Sequence, residues 1–260
     1  MPGKLSRLPL ALLCAVLLAS GCTPSVLVTR GVLPPDPGYL VRRPGFTWLS
    51  DTTAHFRLHA EPGGVPIDTL AVGLERALVH VLSELGEDAM PVPISAFAVT
   101  STDRMQALLG RSPPGRSYYR TRVFAFVMRR RWEETVRHEL AHIVANAVWG
   151  RAAERWVNEG LAEVVEDTRP GVHVHAAVRR RLVEDGQLLP LDELFRRFTE
   201  HPTDVAYLQA SSVVTHLRDE YGQQALRRVW EGGFRAIPAA TGKPLAAFEA
   251  EWLGVLRAAR

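Results

Sequence analysis

The sequence predicts an α+β protein, with a small mixed β-sheet/helix N-terminal half and a mostly helical C-terminal half. Before residue 131, short apolar or alternating segments are separated by turn residues, which is typical of strands. From Trp132 onward, apolar residues recur with helical spacing almost to the end of the chain. The 260 residues are 47% hydrophobic and 23% charged, which suits one substantial core.

The first 21 residues are predicted to be a lipoprotein signal peptide. Lys4 and Arg7 precede an apolar run from Leu8 to Ala19, which is too short for a permanent membrane span. The run ends in Leu18-Ala19-Ser20-Gly21-Cys22, which resembles the bacterial lipobox. This resemblance implies that Cys22 is the lipidated first residue of the mature chain. The alternative is an ordinary signal peptide, cut at nearly the same point, that leaves the cysteine as an incidental thiol.

Lipidation predicts a protein anchored to the membrane of a bacterial cell envelope. The residue after Cys22 is Thr23 and not Asp. By resemblance to the sorting rules of Gram-negative lipoproteins, this favours the periplasmic face of the outer membrane. Removal of Lys4 and Arg7 takes the 31 basic residues to 29, against 28 acidic ones, so the mature net charge is about +1. The charge balance therefore gives no indication of nucleic-acid binding.

Three further segments are predicted after the signal. Residues 22–50 are rich in proline and glycine and are expected to form a tether, residues 51–131 an α/β subdomain, and residues 132–260 a helical subdomain. The segments expected to form strands are Phe56 to Ala60, Ile94 to Val99 and Val123 to Val127. Helices are expected from Ile67 to Leu85 and from Met105 to Leu109, and Ser112 to Gly115 is expected to form a loop.

A metal-binding pattern lies in the first helix of the C-terminal half. His138-Glu139-Leu140-Ala141-His142 is an HExxH sequence, and residues four apart share one helical face. The two imidazoles can therefore bind one Zn²⁺ ion, while Glu139 lies beside the water that the ion activates. Zinc lowers the pKa of that water to about 7, and a nearby carboxylate can then take its proton.

A third ligand is expected from the next helix. Glu159 follows His142 by seventeen positions, and Gly150 lies between them where the chain can turn back. Two histidines, this glutamate and one open position for water match a catalytic zinc site. Glu163 follows Glu159 by four residues and is expected to accept a hydrogen bond from a ligand histidine. The alternative is a structural zinc, which normally has four protein ligands.

The sequence HELAH followed by WVNEGLAEVVE is similar to the gluzincin metallopeptidases, a group that contains thermolysin and zinc aminopeptidases. The resemblance covers Thr135 to Glu166. It implies a zincin-like fold with one zinc ion per chain. The roles that it implies are metal ligands for His138, His142 and Glu159, general base and acid for Glu139, and support of a ligand histidine for Glu163.

Two features outside the motif extend the resemblance. In such enzymes an edge strand before the motif helix aligns an extended peptide, and Val123 to Met128 occupies that position. A tyrosine that opens a later helix stabilises the oxyanion in related aminopeptidases, which makes Tyr207 the candidate for that role. The alternative for Tyr207 is a packing role, with its hydroxyl bonded to a neighbour.

The predicted function is hydrolysis of peptide bonds in a peptide or protein substrate. The glycine-rich exopeptidase motif of the aminopeptidases does not occur ahead of the HExxH sequence, which favours an endopeptidase. Hydrolysis of another amide is a second enzymatic possibility. The non-enzymatic alternative is a zincin-fold lipoprotein that serves as an interaction module in an envelope assembly. The oligomeric state does not follow from the sequence.

Overall fold

A computed structural model describes residues 35–90, 93–166 and 174–259 of the chain. Within these ranges, five strands form one mixed sheet in the order β1-β2-β3-β5-β4. The strands are β1 (Leu49–Thr52), β2 (Phe56–Ala60), β3 (Ile94–Val99), β4 (Gly115–Tyr118) and β5 (Val123–Val127). Strands β2, β3 and β5 run parallel, whereas β1 and β4 pair antiparallel at the two edges. The predicted bounds of β2, β3 and β5 are confirmed.

The part of the chain described after residue 131 is mostly helical, which confirms the α+β class. The helices are α1 (Pro37–Val41), α2 (Ile67–Leu85), α3 (Thr102–Leu109), α4 (Trp132–Val148), α5 (Arg155–Glu166), α6 (Val174–Val178), α7 (Leu191–Arg197), α8 (Thr203–Gly232), α9 (Ile237–Thr241) and α10 (Leu245–Ala258). Helix α8 bends at Gly222, whose backbone leaves the helical region. None of the helices in the described ranges is long and apolar enough to cross a membrane.

Both faces of the central strands are covered, which explains why these strands are apolar almost throughout. Phe124 and Phe126 of β5 belong to the main core, together with Leu74 of α2. The alternate residue Ala125 lies on the other face, in a smaller core with Leu40 of α1 and Met105 of α3. The sheet therefore forms a rigid platform against which α2 and α4 pack.

The segment predicted as a tether overlaps residues that pack onto this platform. Leu40 is buried in the smaller core, and Phe46 stacks on Trp48 at 5.2 Å between ring centroids. The guanidinium of Arg104 lies 4.0 Å from the centroid of the Phe46 ring. Prolines and glycines surround these apolar residues in the sequence, so no strand or helix pattern indicates that they are buried. Residues 22–34 of the predicted tether lie outside the described ranges. The predicted boundary at residue 131 does not separate two cores, since the main core includes residues on both sides of it.

The prediction that Val123 to Met128 forms an edge strand is wrong. Strand β5 is internal, because β4 pairs with it antiparallel and takes the edge position, with Gly115 opposite Phe126 and Tyr118 opposite Val123. The sequence GRSY of β4 has a single buried residue and no apolar alternation. It therefore resembles a loop when read without its partner strand.

Helix α5 packs closely between α4 and α8. Its residues Trp156, Val157 and Leu161 are buried in the main core. A Cβ atom on Gly160 would lie 2.8 Å from the carbonyl oxygen of Ala210 in α8. The absence of a side chain at this position allows the two helices to approach, and it fixes the height of the neighbouring Glu159 above α4.

Substitution of Gly160 is expected to weaken the fold. In Gly160→Ala the new methyl group meets backbone atoms of α8, so the free energy of unfolding should fall by about 1–3 kcal/mol. The control is Gly254→Ala in α10, where the added methyl group has no neighbour within 4 Å. That change should stabilise the protein slightly because alanine favours helix. Thermal melting followed by circular dichroism measures both, and equal melting temperatures for the two variants would contradict this packing.

Candidate metal centre

Helix α4 presents the HExxH residues to a cleft because its opposite face is anchored in the core. Val136, Leu140 and Ile143 are fully buried on that opposite face. The rings of His138 and His142 lie one turn apart, with centroids separated by 4.9 Å and planes at 83°. The two imidazoles therefore converge on one region of space, as the spacing predicts.

Helix α5 brings Glu159 to the same region. Its Oε2 atom lies 3.7 Å from Nε2 of His138 and 3.5 Å from Nε2 of His142. Zinc bonds of about 2.0–2.1 Å at tetrahedral angles require donor atoms about 3.3–3.4 Å apart. The three donors lie within 4.8 Å of one another, so their type and spacing fit a zinc ion without any large movement of the helices.

A carboxylate of α5 supports His138 from behind. The Nδ1 atom of His138 lies 3.0 Å from Oε2 of Glu166 and 3.6 Å from Oε1 of Glu163. Glu166 is therefore the hydrogen-bond partner, and Glu163, which was predicted for this role, is the more distant neighbour. Glu166 follows Glu159 by seven residues, which is two helical turns, so helical spacing alone offered it as an equal candidate.

The charges of this cluster depend on one another. Burial disfavours the charged form of His138, but its hydrogen bonds with Glu159 and Glu166 outweigh that cost and raise its pKa well above 6.5. Burial also opposes ionisation of Glu159, yet the two histidines hold the pKa of this carboxyl far below its usual range. Burial, followed by repulsion from Glu166 and Glu159, raises the pKa of Glu163 to about 6. The site thus favours a negative charge on Glu159, the form that binds a cation.

His142 has a different environment behind its ring. Its Nδ1 atom is buried and has no hydrogen-bond partner among the described residues. The backbone carbonyl of His142 accepts a hydrogen bond of 2.7 Å from Asn146, and the side-chain oxygen of Asn158 lies 3.5 Å from the same amide nitrogen. These contacts fix the backbone beneath the ligand, while the ring is held by packing.

Arg155 links the third ligand to Tyr207. Its Nε atom donates to Oε1 of Glu159 at 3.2 Å, and one of its terminal nitrogens donates to the Tyr207 hydroxyl at 3.2 Å. The carboxylate oxygen that faces away from the histidines is thereby engaged, which leaves Oε2 for the metal. Arg155 was missed in the sequence, although its position four residues before Glu159 is the spacing of a helical ion pair.

Tyr207, the candidate for oxyanion stabilisation, lies in the cleft and also packs against a neighbouring ring. Its ring stacks on Phe198 at 5.3 Å between centroids, and it lines the cleft together with His138 and Glu139. Burial, and then the negative charge of Glu159, raise the pKa of the Tyr207 hydroxyl. The hydroxyl therefore keeps its proton at neutral pH and can donate a hydrogen bond.

Strand β4 forms the wall of the cleft opposite the ligand helix. The cleft has a volume of about 440 Å³, and Gly115, Arg116 and Ser117 line it. A Cβ atom on Gly115 would lie 2.7 Å from Oε1 of Glu139 and 2.5 Å from Cγ2 of Thr135. Glycine at this position therefore allows the edge strand to lie directly against the candidate base, a contact that its predicted loop conformation did not suggest.

No protein-family model matches the sequence, and no curated protein matches it. The predicted lipidation residue, Cys22, lies outside the described ranges.

Glu166 is expected to strengthen zinc binding through its contact with His138. Loss of a carboxylate behind a zinc-bound histidine costs about 10- to 100-fold in metal affinity, so Glu166→Gln should weaken zinc binding by that factor. Glu163→Gln is the matched control, because Glu163 is farther from Nδ1 and its substitution should change affinity less. Titration of the metal-free protein against a zinc-binding dye measures both constants. A larger loss in Glu163→Gln would contradict the observed geometry.

The close approach of Gly115 in β4 is expected to fix the position of the Glu139 carboxylate. In Gly115→Ala the new methyl group displaces the Glu139 carboxylate, so a hydrolysis that uses Glu139 as its base should slow by about tenfold or more. Zinc content should stay at that of the unaltered protein, since the atoms nearest to the added methyl group belong to Thr135 and Glu139 and not to a candidate metal ligand. Gly254→Ala adds the same methyl group in open space and should keep the full rate. An unchanged rate in Gly115→Ala would show that the base does not depend on this contact.

Proposed function

We propose that this chain is a zinc-dependent peptidase of the gluzincin type, with a zincin-like fold and one zinc ion per chain. The single observation that carries the proposal is the meeting of Glu159 with His138 and His142, at 3.5–3.7 Å between donor atoms. The buried carboxylate of Glu139 faces the same cleft. A purely structural zinc site has no use for such a carboxylate.

The reaction follows from the groups around the cleft. A bound zinc ion would act as a Lewis acid and lower the pKa of water in the site to about 7. Glu139 takes a proton from that water as the oxygen attacks the peptide carbonyl carbon, and it later gives the proton to the departing amine. The C–N bond breaks, and the products are a new carboxyl group and a new amino group.

Two other groups supply orientation and charge stabilisation. The protonated Tyr207 hydroxyl donates a hydrogen bond to the substrate oxygen as negative charge develops there. The exposed edge of β4 offers backbone N–H and C=O groups with which an extended peptide can pair. Strand β5, for which peptide binding was predicted, has strands on both sides, so β4 is the edge strand proposed to pair with a peptide.

The shape of the cleft supports an endopeptidase. A second lobe of about 320 Å³ continues past the centre, and His142 and Glu159 line both lobes. Substrate can therefore extend on both sides of the scissile bond. The proposed setting is a bacterial cell envelope, where lipid on Cys22 would anchor the chain and its substrates would be peptides or proteins near that membrane.

The proposal is tested by cleavage of a diverse peptide mixture, read by mass spectrometry, with the soluble form that begins at Thr23. Glu139→Gln removes the base but no ligand, so it should retain one zinc per chain and lose cleavage by about 100-fold or more. Glu133→Gln changes an exposed carboxylate of the same helix and should keep full activity.

Three outcomes separate the alternatives. Cuts that Glu133→Gln retains and Glu139→Gln loses support the peptidase. Absence of cleavage by a fully zinc-loaded protein favours the noncatalytic lipoprotein that acts as an interaction module. Cuts that survive in Glu139→Gln at the full rate would refute the role of this carboxylate.

A further inference from the structure

The second lobe of the cleft has a composition of its own. It lies between β4 and the chain segment that leads into α5, and the metal ligands His142 and Glu159 form its inner end. Its aliphatic side chains are small, because the segment before α5 contributes Ala152 and Ala153, and the aromatic ring of Tyr119 carries a hydroxyl; most of the other lining residues are charged or polar. A large apolar side chain of a substrate would find few partners here. The lobe is therefore built for a polar group.

Two arginines at this lobe are free to bind a substrate. Arg116 of β4 and Arg151 line it, both are exposed, and neither has an ion pair or side-chain hydrogen bond with any described residue. Arg116 has only a ring contact, at 5.8 Å from the centroid of Tyr118. The third arginine, Arg155, is engaged by Glu159 and the tyrosine hydroxyl.

The acidic groups at this lobe are already engaged. Glu154 accepts hydrogen bonds from the indole of Trp156 at 2.5 Å and from the backbone N–H of Phe234 at 2.9 Å. Glu159 faces the two histidines. The charges left for a substrate in this lobe are therefore positive, and guanidinium groups bind carboxylates in fixed geometry.

The first lobe, which is the part of the cleft of about 440 Å³ that Tyr207 lines, differs from the second lobe in the balance of its charges. Arg116 lines this lobe as well, and Arg129 adds an arginine without an ion pair among the described residues, but Glu139, Glu163 and Glu166 also line this lobe and do not line the second one. Its positive charge is therefore balanced by nearby carboxylates. The asymmetry between the two lobes gives the cleft a direction.

We propose that the second lobe, with Arg116 and Arg151, binds a carboxylate of the substrate and makes the enzyme selective for acidic peptides. The carboxylate belongs to an Asp or Glu side chain close to the scissile bond, or to the C-terminus of the peptide. This selectivity rests on the proposed peptidase function for its biological use, but the recognition itself requires no cleavage.

Affinity selection tests the recognition without catalysis. The zinc-loaded Glu139→Gln protein, immobilised, receives a randomised nonapeptide library with amidated C-termini, and bound peptides are identified by mass spectrometry. Peptides with Asp or Glu should be enriched about fivefold or more over those with Asn or Gln, as one charge-assisted contact at a partly exposed site allows. Addition of salt should reduce this enrichment, because the arginines are exposed.

Variants assign the effect to the lobe. Arg116→Gln with Arg151→Gln, in the same background, should abolish the enrichment. Arg228→Gln, an exposed arginine of α8 without a partner among the described residues, should leave it intact. Circular dichroism confirms folding of each variant. Equal enrichment in all variants would overturn the proposal, and so would a parent protein that enriches neither acidic side chains in this library nor peptides with free C-termini.

Two further arms separate the sources and the hypotheses. A second library has free C-termini. If the protein retains these peptides whatever their side chains, the lobe binds the terminal carboxylate. Digestion of the amidated library by the protein with Glu139 intact tests the peptidase separately. Enrichment of acidic peptides without cleavage supports carboxylate recognition and refutes the peptidase. Cleavage without a preference for acidic peptides supports the peptidase and refutes carboxylate recognition. Absence of enrichment and of cleavage refutes both proposals.

Discussion

The close packing of α5 against α8 is the constraint on which the candidate centre depends. Gly160 allows the helix backbone to approach the carbonyl of Ala210, and Trp156 stacks on Phe195 at 4.2 Å between ring centroids. This one short helix carries Glu159, the third candidate ligand, together with the carboxylate behind His138 and the arginine that holds Glu159. Because these groups share a rigid element, a small shift of α5 would displace all of them together. The geometry of the centre is thus a consequence of core packing.

The sheet contributes the other wall by an equally close approach. Strand β4 lies against α4 because Gly115 has no side chain, and this brings an exposed strand edge beside Glu139. A base, a hydrogen-bond donor and a backbone edge then surround the same volume. Arg151 lines one lobe of that volume, whereas Glu163 and Glu166 line the other, which makes the electric field uneven along the cleft. Strand β4 therefore contributes both the backbone edge and Arg116, one of the two arginines of the proposed carboxylate site.

Parts of this arrangement follow from local sequence patterns and parts do not. The bounds of β2, β3 and β5 could be predicted because buried parallel strands are continuous apolar runs. The helical period places His138 and His142 on one face. Glu159 lies close to both histidines, as the sequence analysis expected. Strand β4 could not be predicted, because its residues become a strand only through pairing with β5. The choice of Glu166 over Glu163 depends on the angle between two helices, which no local pattern contains.

We propose that α4 and α5 together form a zinc site with an open position. Zinc-edge X-ray absorption on the soluble protein, loaded with one equivalent of the ion, measures the ligands of such a site. The expected coordination shell contains two imidazoles and oxygen donors without sulfur, and one protein oxygen should be lost in Glu159→Gln. Failure to bind zinc in stoichiometric amount, or a shell that is identical in Glu159→Gln, would contradict it.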